Sequence, residues 1–357
     1  MKILMTGIYS QDNYGRGRII YEGLRENKAD VDIFLAKGIF KYFRIMKRLA
    51  RKDYDVVLPN GKLVLMAAKF MKLFTKKKIA FDVFISDYEA LVESRKTVKK
   101  GSLKSKILFF FDKNTCRFSD VVLLDTNEHI DYFVKMFGLD RKKFRRVFVG
   151  GDDTVYYPIK KKTGEKDKKE RKFTVLFYGS FIPGHGIKYI LKAAKIIEKE
   201  KKMNDVEFLI LGKGQTYDEM TQFSKEIGNK NVKFTGWIDY RKIPEYVSEA
   251  DVCLGMFGDH IEKINRVIGN KIFEIIAMKK PLISGDCKAM REAFTNKENI
   301  LFCRMDDEKS LADSILMLKK NPALREKIAE NGYKLFKERF TTKEIGKSVL
   351  KAIEEIK

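Results

Sequence analysis

The chain has 357 residues, of which 44% are hydrophobic, so it is long enough for two domains that each bury a core. Its four cysteines and three histidines are widely separated, which argues against a disulfide framework and a zinc site and indicates a reducing compartment. The formal net charge is +24, although abundant lysine and glutamate would also fit a thermophile.

Strand and helix patterns alternate along the chain. Residues 1–7 predict a first strand rather than a secretory signal, and no run of about 18 apolar residues could span a bilayer. The predicted strands of the first half are Lys2–Thr6, Val31–Leu35, Val56–Leu58, Ile79–Ile85, Val121–Leu124 and Val147–Val149. Those of the second half are Phe173–Tyr178, Glu207–Leu211, Val232–Thr235, Val252–Met256, Pro281–Ile283 and Ile300–Phe302. The alternation predicts an α/β protein with two doubly wound, Rossmann-like parallel-sheet domains facing a central cleft.

A segment that cannot belong to a core separates the two series of strands. Residues 160–172 contain no apolar side chain and are almost wholly charged. We therefore predict an N-terminal domain over residues 1–158 and a C-terminal domain over residues 159–341. For the C-terminal helix over residues 342–357, packing back on the first domain is one alternative.

The basic charge is concentrated near the N-terminus. Residues 37–78 include 13 basic residues and two acids, Asp53 and Asp55, and apolar and basic side chains alternate there at helical spacing. Such helices suit an anionic membrane surface, and they equally suit core-facing helices with a solvated lysine face. Nucleic acid is not expected as a partner, because no recognised binding module is present.

Each predicted domain has a glycine loop after its first strand. The first loop leaves the strand at Gly7 and reaches a helix at Gly15, and the second runs from Gly179 to Gly186 before a helix over Ile187–Lys201. Glycine at such a junction lets backbone amides approach a phosphate, and the helix N-terminus adds a partial positive charge. A tight turn without a ligand is the alternative for both loops.

One acid lies within an otherwise apolar helix that leads directly into a strand. The residues around Glu274, from Ile272 to Met278, are apolar on nearly every side, so this helix is expected to be buried. A buried carboxylate must be hydrogen-bonded or paired. Its partner is either a ligand hydroxyl or a structural salt bridge to Lys271 or Arg266.

Five motifs in the second half occur together in the order and spacing of one enzyme family. They are Tyr178-Gly179 through Pro183 and Gly186, Phe208 to Gly214, Asn231 to Ile238, Ala250-Asp251-Val252, and Glu274 to Ile283. These motifs resemble the donor-binding domain of the retaining GT-B glycosyltransferases of family 4, also called group 1. In the first half, residues 119–129 and 149–158 resemble a strand and the interdomain hinge of that family.

The resemblance implies a nucleotide site in the C-terminal domain. Glu274 matches a family glutamate whose carboxylate accepts hydrogen bonds from both ribose hydroxyls. Trp237 and Ile238 match the place where the base is held, with a core position as the alternative for Trp237. Gly212 and Gly214 would let the chain pass close to the nucleotide.

Three positions depart from the family pattern, and they concern the donor sugar and its diphosphate. Arg266 stands eight residues before Glu274, where the family has a glutamate that contacts sugar hydroxyls. Ser180 and His185 stand where the family has an arginine and a lysine beside the phosphate. Arg266 and Lys271 are then the nearest cations in sequence that would stabilise the leaving diphosphate.

The residues beside the phosphate loop keep two interpretations each. Asn270 and Lys271 resemble the Asn-Lys or Ser-Lys pair of a divergent branch of the family, and Lys271 would either bind phosphate or pair with Glu274. His185 either donates a hydrogen bond to a phosphate oxygen or is a bystander at a helix start. Gly179, Ser180 and Gly186 complete the expected nucleotide-sugar contacts.

The function implied is that of a retaining hexosyl-type glycosyltransferase. It would transfer sugar from a nucleotide-sugar donor to a hydroxyl of a lipid-linked or cell-surface glycan precursor. No metal is expected, because no Asp-x-Asp pair follows a strand in the second half, and no cofactor is expected besides the donor substrate. The alternatives are a non-catalytic or repurposed GT-B nucleotide-sugar-binding protein and a nucleotide-sugar epimerase.

The acceptor side and the location are less defined by the sequence. Gly15, Asp87 and His129 are expected to face the acceptor, with a helix cap or surface position as the alternative for Asp87 and His129. The expected location is the cytoplasm, with the option of peripheral contact at the inner face of the membrane through residues 37–78.

Overall fold

The computed structural model describes residues 1–7, 15–36, 40–51, 53–60, 62–83, 86–159, 171–199, 205–258 and 262–356. Internal contacts divide the chain into two compact units: unit 1 has residues Met1–Gly150 and Phe340–Lys357, and unit 2 has residues Gly151–Arg339. Several sequence predictions fall partly outside the described residues. They concern residues 8–14 of the first glycine loop, residues 37–39, 52 and 61 of the basic region, residues 84 and 85 of a predicted strand, residues 160–170 of the charged segment, and residues 200 and 201 of a predicted helix.

Unit 1 contains a six-stranded parallel sheet in its described part. Its strands are β1 (Lys2–Gly7), β2 (Asp30–Leu35), β3 (Val56–Asn60), β4 (Lys78–Asp82), β5 (Val121–Leu124) and β6 (Phe144–Arg146). They lie in the order β2-β1-β3-β4-β5-β6, and each neighbouring pair is parallel. The direction of strand addition reverses between β1 and β3, which is where ligands of such sheets bind.

The helices between these strands bury apolar side chains against the sheet. They are α1 (Arg16–Glu26), α2 (Lys41–Leu49), α3 (Lys62–Thr75), α4 (Leu103–Phe118) and α5 (Asn127–Phe137), with a π-helix at Glu89–Ser94 before α4. One core cluster joins Ile45 of α2, Leu65 of α3, Cys116 of α4 and Phe133 of α5 to the sheet. Helices α2 to α5 therefore pack on one layer of unit 1.

Unit 2 contains a second six-stranded parallel sheet among the described residues. Its strands are β7 (Phe173–Tyr178), β8 (Val206–Leu211), β9 (Val232–Gly236), β10 (Val252–Leu254), β11 (Leu282–Gly285) and β12 (Leu301–Cys303). Their order is β12-β11-β10-β7-β8-β9, which is the 3-2-1-4-5-6 order of dinucleotide-binding sheets. The switch point lies between β7 and β10.

The remaining helices follow the strands of unit 2 and then return to unit 1. They are α6 (Ile187–Lys199), α7 (Tyr217–Glu226), α8 (Ile243–Glu249), α9 (Asn270–Ala277), α10 (Lys288–Arg291), α11 (Glu308–Lys320), α12 (Pro322–Arg339) and α13 (Thr342–Glu354). The last of these packs on α1, and a Cβ at Gly346 would lie 2.0 Å from the backbone carbon of Gly23. The C-terminal helix is thus part of unit 1, whose first segment ends at Gly150.

The predicted α/β class with two Rossmann-like parallel-sheet units is confirmed, and one strand is misplaced. β5 and β7 have the predicted bounds, but the apolar run Val147–Val149 lies just after β6. Val147 still donates a hydrogen bond to the Leu124 carbonyl at 2.8 Å before the chain leaves the sheet. Within the described residues, no helix is long and apolar enough to cross a bilayer.

Candidate functional site

Three backbone segments meet at the carboxyl edge of the unit 2 sheet. The amide of Gly179, after β7, donates to the Leu211 carbonyl at 3.1 Å, and the amide of Gly212, after β8, donates to the Gly236 carbonyl at 2.8 Å. Gly212 has φ +124°, and a Cβ there would lie 2.0 Å from the Gly179 carbonyl oxygen. Only glycine fits at this position, because any side chain would strain the backbone and separate the two loops.

These segments enclose an open cavity of about 230 Å³. Its lining residues are Tyr178, Gly179, Ser180, Leu211, Gly212, Lys213, Trp237, Ile238, Tyr240 and Ile243. The cavity therefore brings together several residues that the sequence assigned to the nucleotide. It lies wholly within unit 2, at the edge where doubly wound sheets bind ligands.

Trp237 forms one wall of the cavity and is not a core residue. Its side chain is 69% exposed, whereas the neighbouring Ile238 is half-buried. The alternative of a core position is therefore wrong. A large, exposed aromatic face beside a cavity is suited to stacking on a planar ring.

The helix that carries Glu274 is buried as predicted. Side chains from Ile272 to Ala277 are all buried, and Glu274 itself is 7% exposed. Two tyrosines donate to its carboxylate: the hydroxyl of Tyr178 at 2.9 Å and that of Tyr240 at 3.3 Å. The described contacts of the carboxylate are thus tyrosine hydroxyls rather than the salt bridge to Lys271 or Arg266 that was the alternative.

Burial also changes the ionisation of this carboxylate. It raises the pKa of Glu274 to about 7, although the hydrogen bonds from Tyr178 and Tyr240 oppose the rise. The Tyr156 ring packs edge-on against Tyr240 at 5.3 Å, and burial with the nearby Glu274 charge raises the pKa of the Tyr156 hydroxyl. Glu274 thus lies behind two tyrosines that line the cavity.

Lys271 is buried beside the Gly179 loop. Its Nζ atom lies 4.0 Å from the centre of the Phe177 ring and has no hydrogen-bond partner among the described residues. Burial lowers the pKa of Lys271 to about 7, although the charge of Glu274 opposes this. A Cβ on Gly179 would lie 3.1 Å from Nζ, so the ammonium points at the glycine backbone of the loop.

His185 belongs to the same Gly179–Gly186 loop. Its Nδ1–H donates to the Ser180 carbonyl at 2.5 Å, and its Cε1 lies 3.4 Å from the position of a Gly179 Cβ. Burial lowers the pKa of His185 well below its usual value, and the positive charge of Lys271 lowers it further. In the neutral ring with Nδ1 protonated, Nε2 is an acceptor, and it becomes a donor only when the ring takes up a proton.

The other predicted residues of the donor side are placed less directly. Arg266 is buried between a short helical turn and α9, and its Nη1 lies 3.4 Å from Glu262. Asn270 begins α9 and is half-buried. Gly186 has φ +67° and ends the turn before α6, where a Cβ would lie 2.7 Å from the Gly258 amide. Gly214 packs its backbone against Phe181.

His129 in unit 1 is a buried ion-pair residue. Its Nδ1–H donates to Asp125 at 2.7 Å and its Nε2–H donates to Glu89 at 3.0 Å, and all three side chains are at most 1% exposed. Burial lowers the pKa of His129, but the two carboxylates outweigh it and raise the pKa to about 9. The predicted direct contact with an acceptor needs correction, because both ring nitrogens are already engaged.

Gly15 and Asp87 stay predictions for the acceptor side. Gly15 has an extended backbone with φ −173° at the start of α1, and a Cβ there would meet no described residue within 4 Å. Asp87 is half-buried just before the π-helix that carries Glu89. In the described part of the chain, no three His, Cys, Asp or Glu side chains are arranged as metal ligands.

Sequence reasoning missed the tyrosines and the lysine that complete the cavity. Tyr178 is the last residue of β7, Tyr240 follows Trp237 closely, and Lys213 stands between the two glycines after β8. A tyrosine directly before a loop glycine was a usable signal, because its ring can be buried while its hydroxyl still needs a partner.

Comparison with known proteins shows what unit 2 is similar to. Residues 158–335 match the family model of the glycosyl transferases group 1. All of the matched residues lie within unit 2. The lipopolysaccharide core biosynthesis glycosyltransferase LpsD of Rhizobium meliloti is 26% identical over 174 residues, which are 48% of this chain and 47% of that protein. The chain spans about half the length of the curated relatives it matches.

Solved structures extend the likeness to the whole chain. HepE of Anabaena in complex with UDP-glucose has a TM-score of 0.71 at 15% identity, covering 99% of this chain and 100% of that one. Sucrose-phosphate synthase from Thermosynechococcus elongatus has a TM-score of 0.73 at 15% identity, covering 100% and 99%. At such identities the likeness concerns the fold, which is GT-B.

Proposed function

We propose that this protein is a glycosyltransferase whose unit 2 binds a nucleotide-sugar donor. The observation that carries the proposal is the buried ammonium of Lys271, which lacks a hydrogen-bond partner among the described residues and points at the backbone of the Gly179 loop. Such a group is costly in an empty site, and a diphosphate at the loop would supply the missing acceptor oxygens. The match of residues 158–335 to the group 1 family supports the same assignment.

We propose that the nucleoside end of the donor lies at the part of the cavity that Trp237 and Ile238 line. Trp237 would stack on the base, with Ile238 beside it. Glu274 would accept hydrogen bonds from the ribose, since an ionised carboxylate has about four acceptor positions and the two tyrosines occupy two of them. HepE, a structural neighbour, was solved with UDP and with UDP-glucose, so uracil is the first base to test.

The leaving diphosphate would be stabilised by fixed positive charge. Lys271 and the N-terminus of α6 lie at the two sides of the Gly179–Gly186 loop, and Arg266 is a further candidate. His185 would gain a proton as the anion approaches, because a negative charge raises the pKa of an imidazole, and its Nε2–H would then donate to phosphate. We propose that no metal takes part and that the sugar is transferred with retention, as in the family that the chain resembles.

The acceptor is proposed to be a lipid-linked or cell-surface glycan precursor. The resemblance of the chain to LpsD, which is named for lipopolysaccharide core biosynthesis, supports this class of acceptor. We place the reaction at the cytoplasmic side of a membrane, where nucleotide sugars and lipid-linked acceptors meet.

Calorimetry with UDP, GDP and ADP tests the donor site directly. We expect one of them to bind, and Lys271→Met to weaken that binding about 10-fold to 100-fold, because a charge-assisted hydrogen bond is lost. Lys288→Met, which removes an exposed lysine at α10, is the matched control and should bind like the wild type. Absence of binding by all three nucleotides would overturn the proposal.

Product analysis then separates transfer from the alternatives. Incubation with a nucleotide sugar that carries the nucleotide found to bind, together with a glycan acceptor, should yield a lengthened acceptor and free nucleoside diphosphate. A changed sugar still attached to the nucleotide would indicate an epimerase. Nucleotide-sugar binding without turnover against any acceptor would favour a non-catalytic binding protein, for which the arginine at position 266 would be a reason.

A further inference from the structure

Helix α4 buries a side that is largely polar. That side carries Ser105, Asp112 and Thr115 as well as the core residue Cys116. Asp112 accepts hydrogen bonds from the Ser86 hydroxyl at 2.6 Å and from the Tyr88 amide at 2.8 Å, so the polar side is held inside by specific partners. The helix cannot rotate to hide its other side without breaking these bonds.

The opposite side of α4 presents apolar side chains to solvent. Leu103 is 76% exposed and Phe110 is 63% exposed, and Ile107 and Phe111 are also exposed. Positions 103, 107, 110 and 111 follow the i, i+4, i+7, i+8 spacing of one helix face. Single exposed apolar residues are ordinary, whereas a continuous stripe marks an interaction surface.

The neighbouring helix continues this stripe. Met66, Phe70 and Phe74 of α3 are exposed at a spacing of four residues, and the rings of Phe70 and Phe74 contact each other edge-on at 5.4 Å. α3 packs beside α4, and both bury their inner residues in the same core cluster of unit 1. Their outward faces therefore lie on the same side of that unit.

The charge around the stripe has one sign. Residues 95–117 contain eight lysines and arginines and one acid, Asp112, which is buried. Lys99, Lys100, Lys104 and Lys106 are exposed next to the apolar positions. A partner must therefore accept aliphatic and aromatic side chains and supply negative charge, which is the chemistry of a bilayer with anionic lipids.

We propose that the outward faces of α3 and α4, here called the α3–α4 face, insert into the surface of an anionic lipid bilayer. The sequence pattern predicted a membrane contact within residues 37–78. The α3–α4 face includes α3 from that region and adds α4, which lies outside it. The structure removes Arg48 from the contact, because this side chain is buried and paired with Asp32 and Asp53. The proposal goes beyond the transferase reaction and does not depend on it.

Vesicle flotation of the full chain tests this surface. Wild type is expected to float with vesicles of phosphatidylcholine and phosphatidylglycerol, and much less with phosphatidylcholine alone. The double variant Ile107→Ser/Phe110→Ser should reduce the bound fraction about tenfold or more, because two apolar side chains no longer enter the bilayer. Met317→Ser, which removes an exposed apolar side chain of α11 in unit 2, is the matched control and should float like the wild type.

Three outcomes would overturn the proposal. They are no flotation of the wild type with either vesicle, equal flotation of the double variant, and a wild-type dimer in light scattering that the double variant makes monomeric. The last result would assign the α3–α4 face to a second copy of the chain. Melting temperatures of the variants show whether they remain folded. UDP calorimetry on the same samples separates this test from that of the donor site, because flotation requires no nucleotide.

Discussion

The Nζ atom of Lys271 lies 4.0 Å from the centre of the Phe177 ring, so the ammonium faces an aromatic ring inside the protein. Glu274, one turn later on α9, is held by Tyr178 and Tyr240. One buried helix therefore carries two ionisable groups whose described contacts are aromatic residues. Lys271 faces the Phe177 ring, and Glu274 accepts hydrogen bonds from tyrosine hydroxyls. This arrangement keeps a cation available at the Gly179 loop at the expense of stability.

The first prediction concerns the pH dependence of that cost. The pKa of Glu274 is raised from 4.5 to about 7, so stability falls as the pH rises between these values. The pKa of Lys271 is lowered from 10.5 to about 7, so stability recovers as the pH rises from 7 to 10.5. The double variant Lys271→Met/Glu274→Gln should therefore gain stability over the wild type, on the order of 3 kcal/mol, with the largest gain near pH 7.

Urea denaturation followed by circular dichroism at several pH values measures this gain. Lys288→Met serves as the control for the loss of one positive charge. A difference between double variant and wild type that stays constant from pH 5 to pH 10 would contradict the prediction.

The second prediction concerns the buried group of Glu89, His129 and Asp125. The pKa of His129 is raised from 6.5 to about 9, so its stabilisation is fully present below pH 6.5 and is lost as the pH rises through 9. The pKa difference corresponds to about 3 kcal/mol. Thermal melting should show His129→Gln losing most of this pH dependence. Glu89→Gln should lose part of it, because one carboxylate stays in contact; an unchanged slope in both variants would refute the assignment.

The third prediction compares two glycines. Gly212→Ala places a Cβ 2.0 Å from the Gly179 carbonyl oxygen at φ +124°, and should destabilise the protein by about 3 kcal/mol or more. Gly15→Ala meets no described residue within 4 Å at an extended φ, and should change the free energy of unfolding by less than about 1 kcal/mol. Chemical denaturation of both variants gives the comparison, and an equal effect would mean that the contact of the two loops is not needed.

The fourth prediction uses Trp237, which is the one tryptophan of the sequence. UDP should change its fluorescence, and Trp237→Ala should weaken UDP binding by about 1–3 kcal/mol, because base stacking is lost. Ribose 5-phosphate has no base and should bind the two proteins alike. A loss of affinity for both ligands would place the effect of Trp237 outside base stacking.

Much of the fold follows from local patterns in the sequence. Strands buried on both faces are nearly continuous apolar runs, and so β5 and β7 were predicted with their observed bounds. The predicted position of β6 is three residues late, because the apolar run Val147–Val149 is buried although the strand ends at Arg146. Hydrophobicity reports burial, whereas a strand requires continued backbone pairing.

The site was predictable where one segment carries the signal. The loop glycines and Glu274 fall within motifs that can be read in a single stretch, and the structure places Gly179 and Gly212 in contact. The partners of Glu274 were not predictable, because Tyr178 and Tyr240 are distant in sequence and meet only through the sheet. The buried polar side of α4 was not predictable for a similar reason. Asp112 accepts a hydrogen bond from Ser86, which lies on another segment of the chain.

The close packing of α13 on α1 has a consequence for biosynthesis. Gly23 on the inner side of α1 leaves the ribosome long before Gly346 of α13, against which it packs. Unit 2 is one continuous segment and can finish folding during translation, whereas unit 1 must wait until α13 has emerged. The unit whose synthesis starts earlier therefore closes later, and a premature stop codon within α13 would damage the N-terminal unit.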